Sequence, residues 1–498
     1  QIKNQAAYFK SRFNDEHGHT VLLDIDSYAY YRESWNLLTY DHPGNTVLNG
    51  TNWDTYIMAP MGVPAGENLQ NHLAVWEYKI WKVFDKDIYL MKSSFYLPMI
   101  VYVLAIIPAF MIATYYGGAF GGVVAGIIVA VHPAVLTRTT AGVTDTDVYQ
   151  IFFPLWVIWL YLESYRRKTL KANLLMSALA GIALGYYSLG WSGWWLIFHL
   201  AILASCIQIL EQLYNNKQGS RINLTNAWKQ IKVTLMIVAT FVIFTGIFVT
   251  WLRNLQFFLG FITEPIAFLT LKQAVNANLW PNVYTTVAEL NPITIRGALD
   301  QISFGSNVLL ALAILGMLLT LKKRDEEGHL DVKLSVVLIA WFCLTMWASK
   351  SGVRFVELAV PPFGLALGAC FGMLAIHGSE WLKKHMKIPA LLSKCVIIVL
   401  LSLLLIAPVK SGYATSERNI PLISDSWWQT LTQIKDNSAP NALITSWWDF
   451  GHWFKAVADR PTTFDGGTQN TPIAHWVGKI LLTADEDQAI GILRMLNC

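Results

Sequence analysis

Ten stretches of this chain are apolar and long enough, or nearly so, to cross a lipid bilayer. They cover roughly 95–116, 119–136, 148–165, 172–189, 194–213, 231–251, 306–321, 334–348, 355–376 and 388–408. Hydrocarbon offers no partner to backbone N–H and C=O groups, so a spanning segment must satisfy them internally, as a helix does. The runs therefore predict a polytopic α-helical membrane protein. An eleventh stretch, 255–271, is interrupted by Glu264 and Pro265 and reads as interfacial or re-entrant. Composition agrees, with 54% hydrophobic and 14% charged residues. A formal charge of +4 over 498 residues gives no nucleic-acid signal.

Basic residues orient the runs. Arg166, Arg167, Lys168 and Lys171 share one short loop, and Lys217, Arg221, Lys229 and Lys232 share another. Lys322, Lys323, Arg324 and Lys333 fill a third, and Lys383, Lys384 and Lys387 a fourth. If the runs alternate, all four loops lie on one side, which the positive-inside rule makes cytoplasmic. The opposite face then receives 1–94 as a first extracytoplasmic loop, 252–305 as a long loop, and 409–498 as a soluble tail. The spans occupy 95–251 and 306–408. Arg138, Lys350 and Arg354 run against this bias, which an anionic ligand at the membrane surface would explain and chance would also allow. Cys206, Cys343, Cys370 and Cys395 lie in apolar runs and, with Cys498, form no CxxC pair, so neither a disulfide framework nor a zinc site is indicated. The opening at Gln1 and the stop within a helical pattern at "RMLNC" read as trimmed ends.

Acidic residues gather on the outward segments. "LLDIDSYAYYRES" carries Asp24 and Asp26, "RTTAGVTDTDVYQIF" carries Asp145 and Asp147 just before a span, and "YTTVAELNP" carries Glu289. Carboxylates at a bilayer edge are costly to bury, so they are paired, metal-bound or hydrated. A DxD alone fits a solvated helix start as well as a metal site. Several oxygen ligands without histidine or thiolate would favour Mg²⁺ or Mn²⁺.

The tail alternates strand-like pieces ("NALITSW", "PTTF") with helix-like ones at 428–436, 452–458, 472–482 and 487–497, which predicts a mixed α/β domain. Between them stands "WWDFG" at 447–451. Trp447 and Trp448 fit a core and Asp449 a helix cap, yet strand neighbours point to opposite faces, so both indoles cannot bury alike. A site that grips something small is the other reading. No Gly-rich loop, HRD segment or lysine strand accompanies the DFG, which excludes a kinase.

Taken together, WWDFG, the membrane-edge DTD at 145–147 preceded by "RTTAG", "DSYAYYR" at 26–32 and "TVAE" at 286–289 occur in the order seen in oligosaccharyltransferase catalytic subunits, which this chain resembles over nearly its whole length. The likeness is to the single-chain archaeal and bacterial enzymes and to the eukaryotic catalytic subunit. It implies a GT-C membrane fold with further spans, one of them ahead of residue 1, and a metal-dependent, inverting transfer of a glycan from a polyprenyl-(pyro)phosphate carrier to the asparagine of Asn-x-Ser/Thr. By that resemblance Asp26, Asp145, Asp147 and Glu289 would hold Mn²⁺ or Mg²⁺, with Asp26 and Glu289 also meeting the acceptor amide. Arg354 and Arg138 would meet the donor phosphate, and Trp447, Trp448 and Asp449 the sequon hydroxyl. The partners implied are the lipid-linked donor, the acceptor polypeptide and membrane lipid, with the chain acting as a single subunit. A further tail motif is expected beyond Cys498. The rival expectation is another GT-C enzyme using a polyprenyl-phosphate sugar, such as a protein O-mannosyltransferase, which gives no reason for WWDFG.

Overall fold

The computed structural model describes residues 11–15, 17–218, 221–270, 287–324, 328–469 and 471–497. Residues 271–286 of the 252–305 loop, including Thr286 of TVAE, and Cys498 lie outside them.

Ahead of the membrane come α1 (Asp26–Tyr40), a three-stranded antiparallel sheet and α2 (Leu69–Phe84). The sheet joins β1 (Thr46–Leu48), β2 (Thr51–Asp54) and β3 (Val63–Pro64) in the order β1-β2-β3, with Thr46 opposite Trp53 and Trp53 opposite Pro64. The bundle follows as α3 (Leu90–Ser94), α4 (Leu97–Val131), α5 (Pro133–Thr139), α6 (Tyr149–Glu163), α7 (Leu170–Gly190), α8 (Trp195–Asn215), α9 (Leu224–Leu252), α10 (Leu255–Thr270), α11 (Ile295–Ile302), α12 (Asn307–Thr320), α13 (Lys333–Ala348), α14 (Val360–Met386), α15 (Ala390–Leu403) and α16 (Ile406–Arg418). All ten apolar runs fall on helices. Among the described residues seven helices are long and apolar enough to cross a membrane, or eight if the α11–α12 pair, bent by 90°, is one span. The protein is a multi-pass helical membrane protein.

The first of those seven, Leu90–Val131, is two arms. Gly118 alone leaves helical geometry (φ 62°, ψ −172°), a conformation that glycine adopts without a Cβ clash. Beyond it the chain runs back along itself: the Tyr102 hydroxyl donates to the Val129 carbonyl, and a Cβ at Gly126 would lie 3.0 Å from Ile106. The runs 95–116 and 119–136 are thus the arms of a hairpin turned at Gly118.

α14 sits at the centre, and 83% of the most apolar stretch of Val353–Met386 is buried within the protein. Gly364, Gly368 and Gly372, four residues apart, share one face. A Cβ at Gly368 would stand 2.4 Å from the Gly121 carbonyl oxygen, and one at Gly372 would stand 2.2 Å from Gly117 Cα. Lipid supplies no hydrophobic drive between helices, so close backbone approach through small residues is what holds this pair.

The tail holds α17 (Asp425–Asn437), α18 (Gly451–Ala456), α19 (Ile473–Leu482) and α20 (Glu486–Leu496), close to the four expected helices. The two strand-like pieces do run parallel, yet they meet in a single bridge, Ile444 to Thr462, with Ile444 N–H on the Pro461 carbonyl at 2.9 Å and Thr463 N–H on the Ile444 carbonyl at 3.1 Å. No sheet forms in the tail among the described residues, so the WWDFG turn does not end a sheet strand. The tail seats on the first loop instead. Arg32 of α1 donates to Asp459 (2.6 Å) and to the Lys455 carbonyl (3.2 Å), and its guanidinium lies 3.9 Å from the centre of the Tyr56 ring.

Candidate active site

Four short turns meet where the bundle joins the first loop. Arg138 lies in the last turn of α5, and Asp145 caps, and Asp147 lies within, the 3₁₀ turn Thr146–Val148 that leads into α6. Glu289 belongs to the turn Ala288–Leu290, and Arg354 and Glu357 to the turn Val353–Ala359 that opens α14. The last two turns are tied together, for Val353 N–H donates to the Asn291 carbonyl at 2.9 Å. A Cβ at Gly352 would press to 3.2 Å from the Glu289 carbonyl oxygen.

Two arginines bridge the same two acids. Arg138 donates to Asp147 at 2.6 Å and to Glu289, while Arg354 donates to Glu289 at 2.7 Å and to Asp147 at 3.0 Å. The Gln150 amide adds a third donor to Asp147 at 2.6 Å. Arg138 Nε also faces the buried Glu357 carboxylate at 3.3 Å, whose Oε1 has no hydrogen-bond partner. The planar five-donor fork of arginine permits this double bridging, which a lysine could not reproduce. The arginines that defied the charge bias of their loops thus meet carboxylates of the chain itself. Arg138, expected to be the weaker phosphate candidate, contacts three acids to the two of Arg354.

Asp24, Asp26 and Asp145 form the other half of the cluster, and no arginine bridges them. The Asp24 carboxylate accepts the Ser27 N–H at 2.9 Å and the Ser27 hydroxyl, and the same Ser27 Oγ accepts the Thr144 N–H at 2.7 Å, pinning the DTD segment to the start of α1. Burial first, then the charge of Asp145, pushes Asp24 up to about 7. Burial and then Asp147 and Asp26 push Asp145 up to about 7. The Asp26 side chain is 64% exposed, but the protein crowding it, followed by Asp24, Glu289 and Asp147, brings it to about 7 as well. Burial is the leading cause at all three, and repulsion among the neighbouring carboxylates adds to it. Hard oxygen donors under mutual repulsion fit a divalent cation in chemistry and in charge. As the side chains stand, no three His, Cys, Asp or Glu residues among the described ones converge closely enough to hold a metal ion. Asp147 and Glu289 are occupied by arginine.

In the tail, Trp447, Trp448 and Asp449 are each half-buried. The helix-cap reading of Asp449 fails: α18 begins after Phe450 with no side-chain cap. Burial raises the Asp449 pKa above the ordinary carboxylate range. Phe450 stacks on Trp427 at 5.0 Å, while Trp447 meets Phe464 edge-on at 5.5 Å and packs, with Trp448 and Met58, against Phe464 and α19. The indole N–H of Trp448 is buried without a partner. Beneath the turn, a Cβ at Gly451 would lie 2.5 Å from Asp465 Cβ, so only glycine allows the close approach. Against the upward push of burial, Lys455 at 2.5 Å brings Asp465 down to about 2. Three residues beyond Asp449, His452 Nε2 stands 3.8 Å from Asp26 Oδ1, so the helix that follows the turn approaches the acidic cluster.

The family model for oligosaccharyl transferase STT3, N-terminal, matches residues 1–411. This chain belongs to the STT3 family. STT3-family relatives include the dolichyl-phosphooligosaccharide-protein glycotransferases of Methanococcus voltae (28% identical, covering 97% of this chain and 62% of that one) and Methanocaldococcus jannaschii (27%, covering 98% and 67%). The undecaprenyl-diphosphooligosaccharide–protein glycotransferase of Campylobacter jejuni is 23% identical, covering 98% of this chain and 66% of that one. The chain thus spans about two thirds of the length of these relatives. Among solved structures, the archaeal oligosaccharyltransferase AglB of Archaeoglobus fulgidus, in complex with an inhibitory peptide and a dolichol-phosphate, shares the fold at a TM-score of 0.68 and 17% identity over 96% of this chain and 65% of that one.

Of the residues expected from sequence, Asp147, Glu289, Arg138 and Arg354 touch one another in this STT3-family chain, Asp26 and Asp145 lie in their field, and Trp447–Asp449 connect to them through His452. Gln150, Glu357 and His452 were not expected. His452 follows WWDFG directly, and Glu357, three residues after Arg354 in an apolar run, carried the signal of a buried charge.

Proposed function

We propose that this protein transfers a glycan from a polyprenyl-linked (pyro)phosphate donor to the asparagine of Asn-x-Ser/Thr in an acceptor polypeptide, acting as a single subunit with its site on the extracytoplasmic face. The reading is carried by one adjacency: an arginine-rich acidic cluster at a membrane edge lies beside Asp26, which borders the helix that follows Trp447–Asp449. Anion, reacting amide and recognised hydroxyl would each find complementary groups around one cleft. The positive-inside argument supports the sidedness.

A carboxamide nitrogen is a poor nucleophile because its lone pair is delocalised. Asp26 has open acceptor capacity and can take an amide N–H, holding the group turned toward the sugar. Each Glu289 oxygen already accepts from an arginine but keeps a second lone pair, so Glu289 takes the second N–H most freely when an arginine leaves it. A donor phosphate supplies the reason to leave, because guanidinium pairs with phosphate as readily as with carboxylate. Attack opposite the departing phosphate inverts the anomeric carbon. Asp26, Asp145, Asp147 and Glu289 would supply the oxygen ligands for a Mn²⁺ or Mg²⁺ ion. Such an ion, once bound, would neutralise charge developing on the leaving phosphate.

The deciding experiment incubates the purified full-length protein with lipid-linked oligosaccharide, an Asn-x-Thr peptide and Mn²⁺. Glycopeptide with an inverted linkage is expected, and chelator should abolish it. A peptide modified on serine or threonine hydroxyl, or not at all, would refute the assignment.

A further inference from the structure

His452 has no role in the chemistry above, yet it is the side chain that joins the two halves of the cleft. It is 94% buried, the complement of its 6% exposure, and its Nδ1 has no hydrogen-bond partner. Its Nε2 faces Asp26 Oδ1 at 3.8 Å, just beyond hydrogen-bonding range. The ring has little room elsewhere, because a Cβ at Gly466 would meet Nε2 at 2.6 Å and Trp453 follows it in the buried core. Neutral or charged, an imidazole carries an N–H that it can donate. Asp26, by contrast, is mostly exposed at the start of α1, and no hydrogen bond fixes its carboxylate among the described residues. An exposed carboxylate free to rotate is a poor holder of an amide.

We infer that His452 is a positioning residue, which donates its Nε2–H to Asp26 when the acceptor draws the tail turn and α1 together, and so fixes the carboxylate that meets the asparagine. The inference rests on the proposed function. It makes the turn that recognises the hydroxyl and the acid that meets the amide parts of one device. Residues 449 and 452 stand on consecutive turns, with Gly451 between them packed onto Asp465. A closure of less than 1 Å turns the 3.8 Å approach into a hydrogen bond, and small errors of placement are costly in turnover.

The test compares His452→Gln with His452→Met in the full-length protein. The two side chains are alike in length, and only glutamine has an N–H to donate. The methionine variant should lose about tenfold or more in kcat with the peptide KM within about twofold, and the glutamine variant should regain most of it. Preference for Asn-x-Thr over Asn-x-Val should survive in both. Equal turnover of the two variants, or a loss confined to KM, overturns the inference. If the methionine variant melts below the assay temperature, glutamine alone decides, and a folded glutamine variant at under about a tenth of wild-type kcat overturns it. Failure of the wild-type protein to glycosylate peptide would instead refute the function, so the two failures are distinct.

Discussion

At the membrane edge, Arg138, Asp147, Glu289, Arg354 and Glu357 come from four separate turns and bind one another. In the tail, Trp447, Trp448 and Asp449 are consecutive, and the two indoles rest on a packed floor. The first site is a network whose members depend on the whole fold to meet. The second is a local shape that the chain makes wherever Gly451 can approach Asp465. Networks of charge should fail together, since removing one partner strands the others, whereas a local notch should fail one contact at a time.

The sharpest test of this contrast is Arg138→Gln. It leaves Asp147 and Glu289 with one arginine between them and Glu357 with none. Breaking a buried ion pair by removing one partner costs about 3–5 kcal/mol. Thermal unfolding in detergent should show a marked loss, and transfer should fall below detection. Arg354→Gln leaves every acid with Arg138 and should cost less stability while still impairing donor use. If both variants melt like the wild type, the network is not a structural unit.

Glu289→Gln is the next step down. The amide can still accept from an arginine, so the fold should hold, but the charge that would act on the acceptor is gone. Turnover should drop by about a hundredfold with little change in peptide affinity. Unchanged turnover would remove Glu289 from the site.

The same contrast explains what could be read from the sequence. Asp147, Glu289, Arg138 and Arg354 were found because motif order and charge bias marked each separately, but nothing in the sequence says that the arginines bridge the acids. That pairing depends on α14 lying against the α4 hairpin, which is set by Gly117 and Gly121 meeting Gly368 and Gly372. Glu357 belongs to none of the matched motifs, so its one signal is a charge inside an apolar run, and His452 has none because its neighbour, Asp26, is far away in sequence. The four tail helices were legible from their periodicity, whereas the two strand-like pieces have the right residues but only one bridge's worth of pairing. The cap role of Asp449 is a sound expectation from residue type, undone by a 3₁₀ turn at Trp448–Phe450 that puts Phe450 at the cap position of α18.

Asp449→Ala probes the local site. A pocket that hydrogen-bonds a hydroxyl discriminates against a ligand lacking it by about 1–3 kcal/mol per stranded polar group. Wild-type protein should prefer Asn-x-Thr to Asn-x-Val by at least tenfold on that scale, and the variant should lose the preference without losing stability. A variant that unfolds, or still prefers threonine, would make the turn a packing element only.

The test that separates the two halves of the cluster is the response to pH. Asp24, Asp26 and Asp145 are each raised to about 7, whereas an unfolded carboxylate titrates near 4. Between those values the folded protein binds more protons than the unfolded chain, so stability should decline as pH rises from about 4 to about 7. Activity should move the other way, because a protonated Asp26 cannot accept the amide N–H. The three acids interact, so the rise should be spread over a broad range rather than follow a single titration. Mn²⁺ or Mg²⁺ should lower the midpoint of the activity rise and flatten the stability loss, by supplying the missing positive charge. Thermal unfolding at several pH values, with and without the ion, measures both trends. Stability that instead increases with pH across this range, or a profile that the ion leaves untouched, would mean that the three acids are already neutralised within the fold, as Asp147 and Glu289 are.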